Sequence, residues 1–265
     1  MDEKYWEKLK SYAMAWMKEA GQQIKQSFGQ VLHIETKSDR TDLVTDIDKE
    51  IEVFLRDKVT AAFPNHKIVA EEGMGEQVEN LDGIVWFIDP IDGTSNFIHQ
   101  QRNFAISIGI YDDGVGIIGL IYDVVHDEMY HARRGAGAYM NDTRLLPLEP
   151  ATLENSMIAL NASWLLPKKT ISMNAVIRLV RGARATRSFG SAAIELASAA
   201  AGRIDAYMSM RLAPWDFAAG AVLIEEVGGV ISDIKGNQVD FLKGGTFLVA
   251  KPGLHEEIVT ALFGD

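Results

Sequence analysis

The chain has 265 residues, of which 47% are hydrophobic, so it is long and apolar enough to bury a sizeable core. Its formal net charge of −11 argues against a nucleic-acid partner, because binding successive phosphates requires clustered Lys and Arg. The sequence contains no cysteine, which excludes disulfides, thiol nucleophiles and zinc–thiolate sites.

Neither a secretory signal nor a membrane span is indicated. The charged start is not followed by the apolar region of a signal peptide. The longest apolar run, Val115 to Tyr122, contains glycines and is too short to cross a bilayer. We therefore expect a cytoplasmic protein that does not associate with membranes.

Two helices are predicted in the first quarter of the chain from apolar residues at helical spacing. The first extends from Glu3 to Phe28 and ends at Gly29. The second extends from Asp46 to Ala62, with Thr45 placed as its N-cap residue and Asp48 at the capping-box position.

From Ile84 onward the pattern becomes typical of strands. Short apolar or alternating runs are separated by turn residues, which predicts an antiparallel meander. The predicted strands are Val85–Ile88, Asn103–Tyr111, Val115–Tyr122 and Glu128–Ala132.

The second half of the chain mixes strands with helices. Strands are predicted at Met157–Leu160, Gly229–Asp233 and Thr246–Ala250. Helices are predicted at Thr170–Arg181, Ser191–Ala201, Phe217–Val227 and Leu254–Leu262. Runs of strands separated by helices favour layered α+β packing, with residues 1–265 forming one compact domain.

Two carboxylates follow the predicted strand that ends at Ile88. Asp89 and Asp92 are placed to offer the hard oxygen ligands that magnesium requires. A plain turn would explain the neighbouring Pro and Gly, but not two acids beside Thr94 and Asn96. Helix formation after Gly93 would also present free backbone N–H groups to an anion.

The other acids have simpler interpretations when each is considered alone. Glu71–Glu72 would be a solvated strand end, and the polar run Lys37–Asp42 would be a solvated loop. Asp216 precedes a predicted helix and would be its cap, as Asp48 would be for the second helix.

In their order and spacing, however, these segments resemble the inositol monophosphatase family, within the lithium-sensitive phosphatase superfamily. The resemblance extends from Ser38 to Val249 at least. The matching blocks are Asp42–Thr45 with Asp48, Glu71–Gly73, Trp86–Phe97, Gly190–Ala193, Trp215–Gly220 and Glu226–Gly229.

The resemblance implies hydrolysis of small phosphate monoesters by a metal-activated water, with inositol-1-phosphate as the leading substrate. It implies two to three Mg²⁺ ions, which also reconcile an anionic substrate with an acidic protein. Glu71, Asp89 and the Ile91 carbonyl would hold the first ion. Asp89, Asp92 and Asp216 would hold the second, and a weaker third ion would lie near Glu71.

The same resemblance assigns the remaining site residues. Thr94 would contact the attacking water and be oriented by Asp48, with Glu71 as the third catalytic residue. The implied substrate-binding residues are Asp92, Gly93, Thr94, Ala192, Ser209 and Asp216. The implied fold is an αβαβα sandwich of the inositol monophosphatase and fructose-1,6-bisphosphatase type, commonly assembled as a homodimer.

One substrate-side position departs from the family pattern. Ser209 stands six residues before Trp215, where the family commonly has a Glu that contacts substrate hydroxyls. A short neutral hydroxyl cannot make the charge-assisted contacts of a carboxylate. NADP phosphatase, fructose-1,6-bisphosphatase and 3′-phosphoadenosine phosphatase activities therefore stay open as alternatives. A protein-binding regulator on a retained phosphatase fold is a further alternative, since some bacterial relatives are associated with transcription.

A basic run precedes the Gly190 turn. Its members are Arg178, Arg181, Arg184 and Arg187. Surface ion pairs are the simpler interpretation. The alternative is that Arg184 or Arg187 binds a second phosphate of a bisphosphate or dinucleotide phosphate.

Overall fold

The computed structural model describes residues 2–37, 43–73, 78–161 and 171–264. Within these ranges the chain forms alternating layers of helices and sheets: helices, a sheet, helices, a second sheet, and helices. This confirms the predicted α+β class and the αβαβα sandwich. In the described ranges, no helix combines the length and apolar character needed to cross a bilayer.

The first layer contains helices α1 (Glu3–Gln26) and α2 (Asp46–Ala62). Both pack on the first sheet through buried apolar faces, to which Leu9 and Leu55 belong. The limits of α2 are those predicted, whereas α1 ends two residues before the predicted Phe28. Apolar spacing thus located both helices because each has one buried face.

A capping box begins α2, as predicted. The Thr45 side chain accepts a hydrogen bond from the Asp48 N–H, and the Asp48 side chain accepts one from the Thr45 N–H. Upstream, a two-stranded ribbon is formed by β1 (Ile34–Thr36) and β2 (Leu43–Thr45). Asp42, the first residue of the matched block, and most of the polar run before it lie outside the described residues.

The first sheet contains seven strands in the described part of the chain, and their spatial order follows the chain order. β3 is parallel to β4, and each later neighbour is antiparallel, so the predicted meander is confirmed. The strands are β3 (Lys67–Ala70), β4 (Ile84–Asp92), β5 (Ala105–Asp112), β6 (Val115–Asp123), β7 (Glu128–Arg133), β8 (Gly137–Met140) and β9 (Thr143–Arg144).

The second sheet has the strand order β11-β10-β12-β14-β13. Its strands are β10 (Met157–Leu160), β11 (Ala185–Arg187), β12 (Ala206–Leu212), β13 (Val230–Ser232) and β14 (Gly245–Ala250). Helices α4 (Met173–Gly182) and α7 (Leu254–Phe263) cover its outer face, and one 3₁₀ turn lies at Leu153–Asn155. The predicted start of α4 at Thr170 lies outside the described residues.

The short helix α3 (Thr94–Gln100) follows β4, and two longer helices lie between the sheets: α5 (Ala192–Ala200) and α6 (Pro214–Glu226). α6 approaches the first sheet closely because glycines face it. A Cβ atom added at Gly119 would lie 2.2 Å from the Ala219 carbonyl oxygen. This contact fixes the position of α6, and therefore of its first turn, against β5 and β6.

Replacing Gly119 with alanine should destabilise the protein, because the new methyl group would overlap the backbone of α6. Overpacking of this kind costs about 1–3 kcal/mol. Chemical denaturation measures the free energy of unfolding. Val115→Ala, at a position of the same strand that is 44% exposed, is the control and should cost less than about 1 kcal/mol. Equal unfolding free energies for Gly119→Ala and the unmodified protein would contradict the close approach.

Candidate active site

Asp89 and Asp92 lie on the same face of β4 because the strand contains a β-bulge. Asp89 pairs with Ser107 and Asp92 with Ala105, so a step of three residues on β4 matches a step of two on β5. Residues three apart in a regular strand point to opposite faces, and the extra residue restores a common face. α6 covers this face, since the Ser107 hydroxyl donates to the Trp215 carbonyl at 3.3 Å.

Glu71 lies beside Asp89 because β3 and β4 are parallel and end at the same edge. The Glu71 N–H donates to the Ile88 carbonyl at 3.3 Å. Burial raises the pKa of Asp89 well above its ordinary value. The nearby charges of Glu71, Asp92 and Asp216 raise this pKa further. Four carboxylates are therefore near enough at the end of β4 to affect one another's charge.

The first turn of α6 contributes Asp216. The N-cap residue of α6 is Ala213, so the expected N-cap position of Asp216 is wrong, but Asp216 still caps the helix start from its third position. Pro214 begins the helix earlier, because its fixed φ suits the first helical position. The Asp216 carboxylate instead accepts a hydrogen bond from the Ala213 N–H at 2.8 Å. Burial, followed by the charge of Asp92, raises the pKa of Asp216 well above its ordinary value.

The start of α5 holds Asp92. The Ser191 hydroxyl donates to Asp92 Oδ2 at 2.8 Å, and the Ala193 N–H donates to the same oxygen. Burial raises the pKa of Asp92 to about 6, although these hydrogen bonds oppose the rise. The next residue, Gly93, has φ +100°, and a Cβ atom there would lie 3.1 Å from Ser191 Cβ. Glycine is therefore required at the point where this loop meets α5.

Asp48 links the cap of α2 to Thr94. Its Oδ2 accepts hydrogen bonds from the Thr45 N–H at 2.9 Å and from the Thr45 hydroxyl. The Thr94 hydroxyl donates to Asp48 Oδ1 at 3.0 Å and also lies 3.2 Å from the Ile91 carbonyl oxygen. Burial raises the pKa of Asp48 to about 6. The Asp48 carboxylate therefore caps α2 and holds the Thr94 hydroxyl of the site at the same time.

Lys37 supplies a positive charge at this edge. Its Nζ lies 3.0 Å from Glu71 Oε1 and 2.6 Å from Glu72 Oε1. Burial lowers the pKa of Lys37, but Glu71 and Glu72 raise it more, so the net shift is upward. Lys37 is an exposed residue, as expected for the polar run. The Glu72 side chain is only 3% exposed, so the expectation of a solvated strand end is wrong for Glu72. Glu52 accepts a hydrogen bond from the Glu72 N–H at 2.6 Å.

A cavity of about 210 Å³ opens beside these carboxylates. It brings together most of the expected substrate-side residues: Asp92, Ala192, Ser209 and Asp216. Gly93 and Thr94 lie next to this cavity in sequence and space, at the start of α3. Sequence reasoning missed Glu195 and Tyr207, which also line the cavity. For Glu195 a signal was present, because it is a lone acid in the otherwise small and apolar sequence of α5.

The arginines of the basic run lie outside the lining of the cavity beside Asp92. Arg178 donates to the Ala261 carbonyl at 3.2 Å, and Arg184 donates to the Asn155 side chain. Within the described ranges, these two arginines contact neutral oxygens and not the acids expected for surface ion pairs. Neither arginine lines the cavity beside Asp92.

The fit of magnesium to this site rests on charge. Among the described residues, no three Asp, Glu or His side chains are close enough together to form a ready-made cation site. Even so, buried Asp89 faces three further carboxylates that raise its pKa. A divalent cation with oxygen ligands is the partner that would offset this repulsion. The residues present therefore fit Mg²⁺ in chemical type and charge.

Comparison with known proteins assigns the chain to a family. The model of the inositol monophosphatase family matches residues 5–263. The inositol-1-monophosphatase of Bacillus subtilis (strain 168) is 54% identical over 253 residues, which cover 96% of each chain. This chain belongs to the inositol monophosphatase family and is a phosphoric monoester hydrolase.

Solved structures agree with this family and with the fold. Inositol monophosphate-bound SaIMPase-II is 41% identical with a TM-score of 0.86, over 95% of this chain and 92% of that chain. An IMPase/NADP phosphatase complexed with Mg²⁺ and phosphate is 27% identical with a TM-score of 0.90, over 98% of this chain and 97% of that chain. The αβαβα sandwich is therefore of the inositol monophosphatase type.

The carboxylate cluster should make the metal-free protein less stable as pH rises. The pKa of Asp92 is about 6 in the folded protein against an ordinary 3.8, so the folded state binds this proton more tightly than the unfolded chain. The resulting stabilisation is complete below about pH 4 and is lost as pH rises to about 6. Between these limits we expect the unmodified protein to lose about 2 kcal/mol relative to Asp92→Asn.

Denaturation in EDTA at several pH values measures this difference. Asp82→Asn, at an exposed position, is the matched control and should run parallel to the unmodified protein. If the free energies of unfolding of Asp92→Asn and the unmodified protein stayed parallel over this range, the pKa of Asp92 would not be raised in the folded protein.

Proposed function

We propose that this chain hydrolyses inositol-1-phosphate to inositol and inorganic phosphate with Mg²⁺ as its cofactor. The observation that carries the proposal is the convergence of four carboxylates next to the hydrogen bond from Thr94 to Asp48. The inositol-1-monophosphatase of Bacillus subtilis and the inositol monophosphate bound to SaIMPase-II support this substrate.

The proposed metal ligands are those that the family resemblance implies. Glu71, Asp89 and the Ile91 carbonyl would hold one Mg²⁺ ion. Asp89, Asp92 and Asp216 would hold a second, and a third, weaker ion would lie near Glu71. The chemistry that Mg²⁺ supplies when bound is neutralisation of phosphate charge and acidification of water. Asp89 suits a shared position because a carboxylate offers one oxygen to each of two ions.

Thr94 and Asp48 would orient the attacking water. The Thr94 hydroxyl hydrogen is donated to Asp48 Oδ1, so the lone pairs of its oxygen are available to accept a hydrogen bond from water. With a pKa of about 6, Asp48 is mostly ionised at neutral pH and can accept a proton through Thr94 Oγ. Asp48 is held for this task by its hydrogen bonds to Thr45.

The phosphate and the alcohol would occupy adjoining parts of the site. The backbone N–H groups of Gly93 and Thr94, at the start of α3, would donate to phosphate oxygens. The alcohol would lie in the cavity against Ala192 and Ser209. In this position Ser209 would offer a neutral hydroxyl, whose hydrogen is donated to the Arg211 carbonyl at 3.2 Å.

A second candidate is removal of a phosphate from a nucleotide such as NADP. It is favoured by Ser209, because a short neutral side chain leaves that part of the cavity wall without a carboxylate for inositol hydroxyls. A structural neighbour at 27% identity is an IMPase/NADP phosphatase.

We also propose that the chain forms one compact domain and assembles as a homodimer, as the family resemblance implies.

Phosphate release from a panel of esters should identify the substrate. We expect turnover of inositol-1-phosphate that is abolished by EDTA and restored by Mg²⁺, because the acidic site cannot bind phosphate without cations. The panel includes NADP, fructose-1,6-bisphosphate and 3′-phosphoadenosine 5′-phosphate. A higher kcat/KM for one of these would replace inositol-1-phosphate as the substrate. Failure of the folded protein to hydrolyse any ester would contradict the proposal and favour a protein-binding role.

Thr94→Val should lower kcat by about 10²–10⁴-fold, because it removes the hydroxyl that links water to Asp48 while keeping the side-chain shape. Thr94→Ser is the matched control, since it keeps the hydroxyl, and it should stay within about tenfold of the unmodified enzyme. Steady-state kinetics at saturating Mg²⁺ separates kcat from KM. A kcat for Thr94→Val equal to that of Thr94→Ser would remove Thr94 from the catalytic residues.

A further inference from the structure

Glu195 is a buried acid whose contacts lie outside its own helix. It is 3% exposed and lies in the first turn of α5 among small and apolar residues. Its Oε1 accepts a hydrogen bond from the Phe189 N–H at 2.6 Å. The side chain therefore holds the backbone of the turn that precedes α5.

The same turn is held from the opposite side by α3. The Asn96 side-chain amide donates to the Phe189 carbonyl at 2.7 Å and to the Asn103 carbonyl at 2.8 Å. Gly190 has φ +80°, and a Cβ atom there would lie 3.0 Å from Asn96 Nδ2. The peptide groups on both sides of Phe189 are thus fixed, with Glu195 on the N–H and Asn96 on the carbonyl.

The residues that follow this turn hold Asp92. The Ser191 hydroxyl and the Ala193 N–H donate to Asp92 Oδ2. Their positions depend on where the turn at 189–191 lies, because Ser191 is the N-cap residue of α5. A displaced turn would move both donors away from the carboxylate together.

The stability of α5 does not by itself explain a carboxylate at this position. Burying an ionised carboxylate costs free energy that hydrogen bonds must offset. In the described part of the chain, Glu195 Oε2 is buried without a hydrogen-bond partner. Burying the Glu195 carboxylate with one oxygen unpaired is therefore unfavourable for stability, which points to a role in the neighbouring site.

We propose that Glu195 is a positioning residue: by holding the turn at 189–191, it orients the Ser191 and Ala193 donors and thereby the Asp92 carboxylate for cation binding. This inference deepens the proposed function and rests on it. It predicts that cation binding depends on a hydrogen-bond acceptor at residue 195 and not on the charge of that residue.

Two substitutions separate these properties. Glu195→Ala removes the acceptor, whereas Glu195→Gln keeps an acceptor oxygen and removes the charge. We expect Glu195→Ala to weaken Mn²⁺ binding and to lower kcat, each by about 10–100-fold, as is typical when a partner of a metal ligand is lost. Glu195→Gln should stay within about threefold of the unmodified protein in both. Isothermal titration with Mn²⁺ measures affinity without substrate.

Leu254→Ala controls for loss of stability. Leu254, the first residue of α7, is fully buried in the outer core, so its truncation should lower Tm without weakening Mn²⁺ binding. Unchanged Mn²⁺ affinity in Glu195→Ala would overturn the inference. So would equal losses in Glu195→Gln and Glu195→Ala, or a loss in Leu254→Ala as large as that in Glu195→Ala. Absence of phosphatase activity in the unmodified protein would instead overturn the proposed function.

Discussion

The mutual repulsion of buried carboxylates at the end of β4 is the constraint on which the rest of the site depends. Removing an ionised acid from water is unfavourable, and neighbours of the same sign add to the cost. The fold holds these charges together through rigidity, because β4 is paired on both sides and buried from Ile84 through Ile91. The same acids on a mobile loop would move apart.

Three helix starts reduce this repulsion. Asp48 lies in the first turn of α2, Asp216 lies in the first turn of α6, and Asp92 accepts from the first turn of α5. The N-terminal end of a helix carries partial positive charge and N–H groups that need acceptors. In each case the contact uses the Oδ2 atom. Helix capping and assembly of the acidic site are therefore achieved by the same hydrogen bonds.

Local patterns predicted much of the fold and the acids of the site, but not the contacts that orient them. The limits of α2 and its capping box follow from neighbouring residues, and both are confirmed. β12 was missed although its sequence carried a strand signal, since Met208, Met210 and Leu212 alternate with two polar residues. The bulge between Asp89 and Asp92, the ion pair of Lys37 with Glu71 and the contacts of Glu195 depend on partners distant in sequence.

The position of α6 against the glycine face of the first sheet has a consequence for folding kinetics. Hairpins from β5 to β9 close short loops and can form early, whereas docking of α6 joins segments separated by the whole meander. We therefore expect Asp216 to reach Asp92 only after this long-range step. A cation that needs both acids binds the native state alone, so it slows unfolding and leaves the folding rate of the meander unchanged.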